Sequence, residues 1–272
     1  MRPPSFRVSI LACLLAFATP PASAQEVEVD VELVLAVDVS LSMDVDEQEV
    51  QRGGYVAAFR DAQVIEAIRS GPNGRIAVAY LEWAGANDQH LVVDWTMVDG
   101  PDTGEIFAAA LAEQPQSRMR RTSISAALER ATSMFRGNGF SGLRQVIDVS
   151  GDGANNQGPL VVDARDSAVA AGITVNGLPV MLKQAMSYSM FDISQLDQFY
   201  EDCVIGGPGA FMIPVRKVER FPEAIRAKLI LEIAGLAPSR QGDLVQPVQM
   251  EERPPCDIGE RQWRSRMLDG YR

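Results

Sequence analysis

Short apolar segments alternate along the chain with longer segments in which apolar residues recur at helical spacing. Residues 27–33 alternate between apolar and acidic side chains, and residues 33–37 are continuously apolar, as expected of a strand that runs from a solvated edge into a buried centre. An apolar stripe of helical period runs from Ile124 to Phe135. Strands are predicted at 27–37, 76–83, 91–98, 143–150, 173–180 and 210–215, and helices at 46–70, 105–113, 124–135, 161–171, 193–200 and 221–234.

This alternation predicts an α/β fold with a doubly wound, mostly parallel central sheet and helices on both faces. The segments 76–83 and 91–98 are expected to pair through a turn at Gly85, which places one short antiparallel strand at an edge. The dipeptide Asn176–Gly177 leaves open whether 173–180 is one strand or a hairpin.

The amino-terminal segment has the pattern of a targeting sequence. Arg2 and Arg7 form a positive start, residues 8–18 are an apolar run, and the small residues that end at Ala24 suit a cleavage site. Residues 1–24 are therefore predicted to be a secretory signal peptide. The mature protein is expected to be periplasmic or secreted, with no membrane span after signal cleavage.

The remaining chain divides into a domain at 27–235 and a tail at 236–272. The tail is predicted to be irregular because it is rich in prolines and charges. Cys203 and Cys256 are the cysteines left after cleavage, and an oxidising compartment favours a disulfide between them. Two free buried thiols are the alternative.

Composition excludes several classes of function. The formal net charge of −11 argues against a nucleic-acid partner, because phosphate contacts require a basic surface. A single histidine argues against most zinc sites and most Ser-His-Asp hydrolases.

Oxygen-bearing side chains follow the predicted strands at the edge where ligands bind in open α/β sheets. Asp38, Ser40 and Ser42 come directly after the first strand, and Asp152 follows the strand 143–150. Thr122 opens the striped helix. A set of oxygen ligands without His or Cys suits Mg2+.

Each of these residues also has a purely structural interpretation. Ser40, Ser42 and Thr122 have the side chains of helix N-caps, and Asp152 that of a turn former. Asp148, within the same predicted strand, is an alternative to Asp152, although a mid-strand side chain is expected to point into packed helices.

Taken together, the pattern Asp-x-Ser-x-Ser, a later helix-opening Thr and a final Asp-Gly resembles the metal-ion-dependent adhesion site, or MIDAS, of von Willebrand factor type A (VWA) domains. The resemblance spans roughly residues 29–234. The segments 152–158 and 204–211 also resemble an uncharacterised family of exported bacterial VWA-like proteins. The resemblance implies that Ser40, Ser42 and Thr122 offer hydroxyl oxygens to the metal, and that Asp38 and Asp152 bind it directly or through water.

The chain departs from the usual VWA pattern at two places. Gly151 stands where Thr or Ser usually precedes the last aspartate, and Arg120 and Arg121 replace the usual glycines before the threonine. Neither departure removes a ligand oxygen. Together with Arg118, these arginines are expected either to rim the site and contact a partner or to form a solvated basic loop.

The function expected from this resemblance is an exported binding module that holds Mg2+, with Mn2+ or Ca2+ as alternatives, and recognises a carboxylate on a protein partner. No enzymatic activity is expected because the chain lacks a credible base or nucleophile beside the metal. The alternatives are a metal-assisted phosphohydrolase, in which the ion polarises a phosphoryl oxygen, and an interaction domain without metal.

Overall fold

The structure, a computed structural model, describes residues 26–182, 193–237 and 253–269. The predicted signal peptide, residues 1–24, lies outside these ranges. The strands are β1 (Val27–Asp38), β2 (Ile76–Trp83), β3 (Gln89–Val98), β4 (Phe140–Gly151) and β5 (Thr174–Pro179). The helices are α1 (Val45–Ala58), α2 (Ala62–Arg69), α3 (Pro101–Ala112), α4 (Ile124–Met134), α5 (Val161–Ala170), α6 (Leu196–Phe199), α7 (Phe221–Ala234) and α8 (Ile258–Asp269).

The five strands form one sheet in the order β3-β2-β1-β4-β5. β1 is parallel to β2 and β4, β4 is parallel to β5, and only the edge strand β3 runs antiparallel. Val37 pairs with Ser150, so the carboxyl ends of β1 and β4 lie side by side. The predicted fold class is confirmed.

Helices cover both faces of the sheet and create two apolar cores. Leu33 and Leu35 of β1 belong to the core beneath α1, α2, α3 and α7, whereas Val34 and Ala36 belong to the core beneath α4, α5 and α6. Successive strand residues point to opposite faces, so a strand with helices on both faces must be apolar at every position. This explains the continuous apolar run at 33–37.

The predicted helix at 46–70 is wrong as a single element, because α1 and α2 are separate helices. The carboxylate of Asp61 accepts a hydrogen bond from the backbone N–H of Gln63 at 2.8 Å and so caps a new helix. A Cβ added to Gly104 of α3 would lie 2.5 Å from the carbonyl oxygen of Phe59, so α3 approaches the chain at the break itself.

Near β5 the structure decides one open choice and corrects one prediction. The segment around Asn176–Gly177 is the single strand β5, not a hairpin. The predicted strand at 210–215 is not formed, and this segment makes only isolated bridges, Gly177 with Met212 and Val180 with Val215. The N–H groups of Ile213 and Val215 donate to the carbonyls of Gly177 and Pro179, but Pro179 has no N–H to return a bond, which interrupts the ladder.

The carboxyl-terminal segment also differs from the prediction of an irregular tail at 236–272. Within its described part, residues 253–269, it forms the helix α8. Ile258 packs against the second core, and Cys256 is bonded to Cys203 with the two Cα atoms 5.5 Å apart. The predicted disulfide is confirmed. These contacts are long-range, which is why local composition did not reveal the helix.

Among the described residues, no helix has the length and apolar character needed to cross a bilayer.

Candidate metal centre

The first part of the site is the turn that follows β1. Asp38, the last residue of β1, is fully buried, and its Oδ1 accepts a hydrogen bond from the backbone N–H of Ser40 at 2.7 Å. The Oγ atoms of Ser40 and Ser42 lie 2.7 Å apart and form a hydrogen bond. The strand end and its turn therefore gather a carboxylate and two hydroxyls.

The second part comes from the end of β4, which the sheet register places beside β1. The Ser42 hydroxyl donates a hydrogen bond to Oδ1 of Asp152 at 2.7 Å, across 110 positions of sequence. Asp152 is 7% exposed. The predicted residues Ser40, Ser42 and Asp152 thus form one hydrogen-bonded chain, and Asp38 joins it through the backbone of Ser40.

Thr122 provides the third part, just before α4. Its side chain is buried, and a Cβ added to Gly153 would lie 4.0 Å from Thr122 Oγ1, so this hydroxyl faces the loop that carries Asp152. Asn156 fixes the backbone of Thr122 on both sides: Asn156 Oδ1 accepts from the Thr122 N–H at 3.1 Å, and the Asn156 N–H donates to the Thr122 carbonyl at 2.8 Å. The structure brings all five predicted ligand residues to one edge of the sheet.

The electrostatics of this edge favour a cation. Oδ2 of Asp38 is buried without a hydrogen-bond partner among the described residues. Burial, and then the negative charge of Asp152, raise the pKa of Asp38 to about 8. Two neighbouring carboxylates with an unsatisfied buried oxygen are costly unless a positive charge compensates them.

No group of three or more His, Cys, Asp or Glu side chains that could hold a metal occurs within the described ranges. A metal at this edge therefore has to use hydroxyl oxygens in addition to Asp38 and Asp152. Few charged ligands and several neutral oxygens are a donor set that hard divalent cations accept. The residues present fit such an ion.

Packing explains why a glycine, Gly151, precedes Asp152. A Cβ at Gly151 would lie 3.0 Å from both Asp38 Oδ2 and the Tyr200 hydroxyl, and 3.3 Å from Trp83 Cη2. Tyr200 and Trp83 are both buried, and burial followed by the charge of Asp38 raises the pKa of the Tyr200 phenol well above its usual value. These two rings occupy the space that a Thr or Ser side chain would need.

Comparison with protein families gives one match, over residues 28–237, to a family described as "Protein of unknown function (DUF1194)". This chain belongs to the DUF1194 family. No curated protein sequence matches it.

Solved structures confirm the VWA-like fold of this DUF1194 chain. A von Willebrand factor type A structure from Catenulispora acidiphila matches with a TM-score of 0.53 and 12% identity, covering 76% of this chain and 43% of that one. Proximal thread matrix protein 1 from the mussel byssus, solved with a zinc-occupied MIDAS motif, matches with a TM-score of 0.53 and 13% identity, covering 78% and 49%. The pilus adhesin SpaC from Lactobacillus rhamnosus GG matches with a TM-score of 0.56 and 11% identity, covering 76% and 31%. The DUF1194 chain thus spans less than half of the length of each, and at these identities the likeness shows the fold alone.

Asp148, the alternative to Asp152, lies elsewhere in this DUF1194 chain. Its carboxylate is buried in the layer between β4 and α7, with Lys228 Nζ 2.7 Å from Oδ1. Lys228 also pairs with Glu232 one turn further along α7. Asp148 lies within β4, three residues before its last residue Gly151, where it faces α7 and serves this buried ionic cluster, whereas Asp152 lies just past the strand end.

The three predicted rim arginines have different environments. Arg118 Nη2 donates to the carbonyl of Met43 at 3.1 Å and ties the two loops of the site together. Arg121 has a φ of 78° and its guanidinium carbon lies 3.3 Å above the ring of Trp263 in α8. Arg120 is exposed and forms no ion pair with any residue in the described ranges. Arg118 and Arg120 are both exposed, and of these two Arg120 is the one whose side chain is not engaged in the hydrogen bond that ties the loops.

Asn155, a residue without a predicted role, is fully buried behind the site. Its Oδ1 accepts from the N–H of Ser125 at 3.0 Å and from the Ser125 hydroxyl at 3.2 Å. Its Nδ2 donates to the Pro159 carbonyl at 3.0 Å and to Glu260 Oε1 at 2.7 Å. The amide thereby joins the Asp152 loop, the start of α4 and α8. The sequence signal for this role is the pair Asn155–Asn156, which closely follows Asp152. A buried amide requires hydrogen-bond partners at all its polar atoms, so such a residue joins the segments around it.

Proposed function

We propose that this chain is an exported protein-binding module that holds Mg2+ and recognises a carboxylate on a protein partner. The observation that carries the proposal is the hydrogen-bonded cluster of side-chain oxygens at the carboxyl edge of the sheet, in which the buried Oδ2 of Asp38 has no partner among the described residues. Protein interaction or adhesion is the function that the VWA-like fold suggests.

In this proposal Asp38 and Asp152 contribute negative charge, and Ser40, Ser42 and Thr122 contribute neutral hydroxyl oxygens. Mn2+ or Ca2+ would suit the same donors. A bound Mg2+ supplies a positive charge and a coordination position that a partner's carboxylate can occupy. The hydrogen bond from the Ser40 N–H to Asp38 and that from Ser42 to Asp152 hold both carboxylates in place before any ion binds.

Two of the similar structures support this direction. The mussel protein is described with zinc in its MIDAS motif, and SpaC is a pilus adhesin. These are properties of those two proteins. For this chain they only support the proposal of a metal-dependent binding role.

The surface beside the centre gives the partner a further chemical requirement. Leu41, on the loop that carries Ser40 and Ser42, is 46% exposed, and Val45, the first residue of α1, is 42% exposed. The Leu41 N–H donates to the Met119 carbonyl at 2.8 Å, which places Leu41 beside the exposed Arg120. We therefore propose a partner segment with an acidic residue for the ion, an apolar side chain beside it, and a second acidic group for Arg120.

We also propose that the chain has no catalytic activity. A metal-assisted hydrolase requires a base or nucleophile beside the ion. The hydroxyls of Ser40 and Ser42 are engaged with each other and with Asp152, and the phenol of Tyr200 has a pKa well above its usual value. His90 is on the exposed edge strand β3.

Calorimetric titration with Mg2+ tests the metal part of the proposal. We expect the wild-type protein to bind Mg2+ and Asp38→Ala to show no binding, since that variant loses a ligand carboxylate whose buried Oδ2 has no hydrogen-bond partner among the described residues. Asp46→Asn is the matched control, because Asp46 is an exposed carboxylate in the first turn of α1. Equal binding by wild type and Asp38→Ala would refute the site.

Capture from a periplasmic extract tests the partner part. We expect the immobilised protein to retain a partner in Mg2+ and to release it when a chelator is added, and Asp38→Ala to retain none. Prior amidation of the extract's carboxyl groups with a carbodiimide should abolish the capture. Retention that survives both treatments would favour an interaction domain that needs no metal.

A further inference from the structure

The helix α8 lies directly against the loops of the candidate metal centre. A Cβ added to Gly259 would overlap the Asn155 carbonyl oxygen and lie 2.8 Å from the Asn155 carbonyl carbon. The first turn of α8 therefore contacts the backbone of the loop that follows Asp152, and only a glycine allows this approach.

A side-chain contact joins α8 to the same loop. Glu260 Oε1 accepts a hydrogen bond from Asn155 Nδ2 at 2.7 Å. The amide oxygen, Asn155 Oδ1, accepts hydrogen bonds from both the N–H and the hydroxyl of Ser125 in the first turn of α4. Because all polar atoms of the buried Asn155 amide are engaged, removal of Glu260 leaves an unsatisfied N–H and weakens the link between the two loops.

A second contact reaches the residue before Thr122. The guanidinium of Arg121 stacks on Trp263 at 3.3 Å, and the φ of Arg121 is 78°. A left-handed backbone at a residue other than glycine is unfavourable and persists only where surrounding contacts hold it. The Trp263 ring is one of those contacts, and it therefore helps to hold the backbone of Arg121, which positions Thr122.

The docked helix is fastened to the body of the domain at its amino end. Cys256 is bonded to the buried Cys203, and Arg253 pairs with Asp202 at 2.5 Å and with Glu201 at 3.3 Å. The disulfide is the covalent part of this attachment, whereas the arginine pairs are exposed and weak.

We propose that Glu260 and Trp263 are positioning residues for the metal centre, so that its affinity for Mg2+ depends on the docking of α8 and hence on the Cys203–Cys256 bond. This inference rests on the proposed function for its metal. Neither residue contacts the ion. Each holds one of the loops, Glu260 the Asp152 loop and Trp263 the Thr122 loop, in the position that the ligand oxygens require.

Mg2+ titration of α8 variants is the first test. We expect Glu260→Ala and Trp263→Ala each to bind Mg2+ about tenfold more weakly, the usual effect of removing a residue that orients a metal ligand. Ser265→Ala is the matched control, because Ser265 is an exposed residue of the same helix, and it should bind as the wild type does. Glu260→Gln keeps the acceptor oxygen and Trp263→Phe keeps an aromatic face, so both should restore binding.

Reduction of the disulfide should weaken Mg2+ binding in the wild type to a similar extent, and should have no effect on a Cys203→Ser/Cys256→Ser variant that is already weak.

Hydrogen exchange of the metal-free protein separates this inference from the proposed function. The N–H groups of Thr122 and Ser125 donate to Asn156 and Asn155, and we expect them to exchange about tenfold faster in Glu260→Ala and Trp263→Ala than in Ser265→Ala. If the wild type binds no Mg2+, the proposed function fails, and exchange alone decides whether α8 orders these loops. Exchange rates and Mg2+ affinities equal to those of Ser265→Ala would overturn the inference.

Discussion

Replacement of Gly151 by alanine tests whether the departure from the usual VWA pattern is a consequence of packing. The new Cβ would lie 3.0 Å from Asp38 Oδ2 and from the Tyr200 hydroxyl, and 3.3 Å from Trp83 Cη2. All three neighbours are buried, so none of them can move into solvent. Such crowding in a packed interior costs about 1 to 3 kcal/mol.

Gly153→Ala is a matched control two residues away. Its Cβ would meet only Thr122 Oγ1 at 4.0 Å, an ordinary contact, and the φ of Gly153 is outside the left-handed region. Loss of chain entropy in the unfolded state should then stabilise Gly153→Ala by about 0.4 to 1 kcal/mol. The same gain applies to Gly151→Ala, but we expect crowding to outweigh it.

Urea unfolding of both variants without metal, followed by Mg2+ titration, measures the difference. We expect Gly151→Ala to be less stable than Gly153→Ala and to bind Mg2+ more weakly, because the Asp38 carboxylate is displaced. Addition of Tyr200→Phe to Gly151→Ala should recover part of the stability, since it removes one of the close contacts. Equal free energies of unfolding for the two alanine variants would refute the packing explanation.

Three further predictions concern chemistry, pH and the disulfide. The purified protein with Mg2+ or Mn2+ should hydrolyse phosphomonoesters and phosphodiesters no faster than Asp152→Ala, and turnover that disappears in that variant would favour a hydrolase. Burial, and then the charge of Asp148, raise the pKa of Glu232 to about 7 from 4.5, so the stabilisation present below pH 4.5 should be lost as the pH rises to about 7. The loss is on the order of 3 kcal/mol. Urea unfolding at several pH values should show it, and Glu232→Gln should remove this part of the pH dependence and leave the part that comes from the raised pKa of Asp38. Reduction of the Cys203–Cys256 bond should lower the free energy of unfolding by up to about 4 kcal/mol from loop closure alone, and an unchanged urea midpoint after reduction would contradict that account.

The parts of this fold that the sequence predicted are those that depend on periodicity and strand order. Asp38 and Asp152 were expected together because the carboxyl ends of parallel strands share an edge, and the register of β1 against β4 places them so. The continuous apolar run of β1 likewise identified a central strand.

The parts that the sequence did not predict depend on contacts between distant residues. The break before α2 is made by a capping carboxylate, Asp61, within a segment whose apolar spacing continues across it. The helix α8 owes its position to Gly259 against Asn155 and to Trp263 against Arg121. None of these partners is adjacent in sequence, so local composition indicated only an irregular tail.

The buried pairing of Lys228 with Asp148 and Glu232 bears on the order in which the chain is assembled. During synthesis from the amino terminus, all of β4 is made before α7. A carboxylate buried in an apolar layer without its cation costs about 3 to 5 kcal/mol, so the α7 side of the sheet cannot close stably around Asp148 until Lys228 has been made. A nascent chain that ends before α7 therefore remains open on this face, and closure of the face waits for α7.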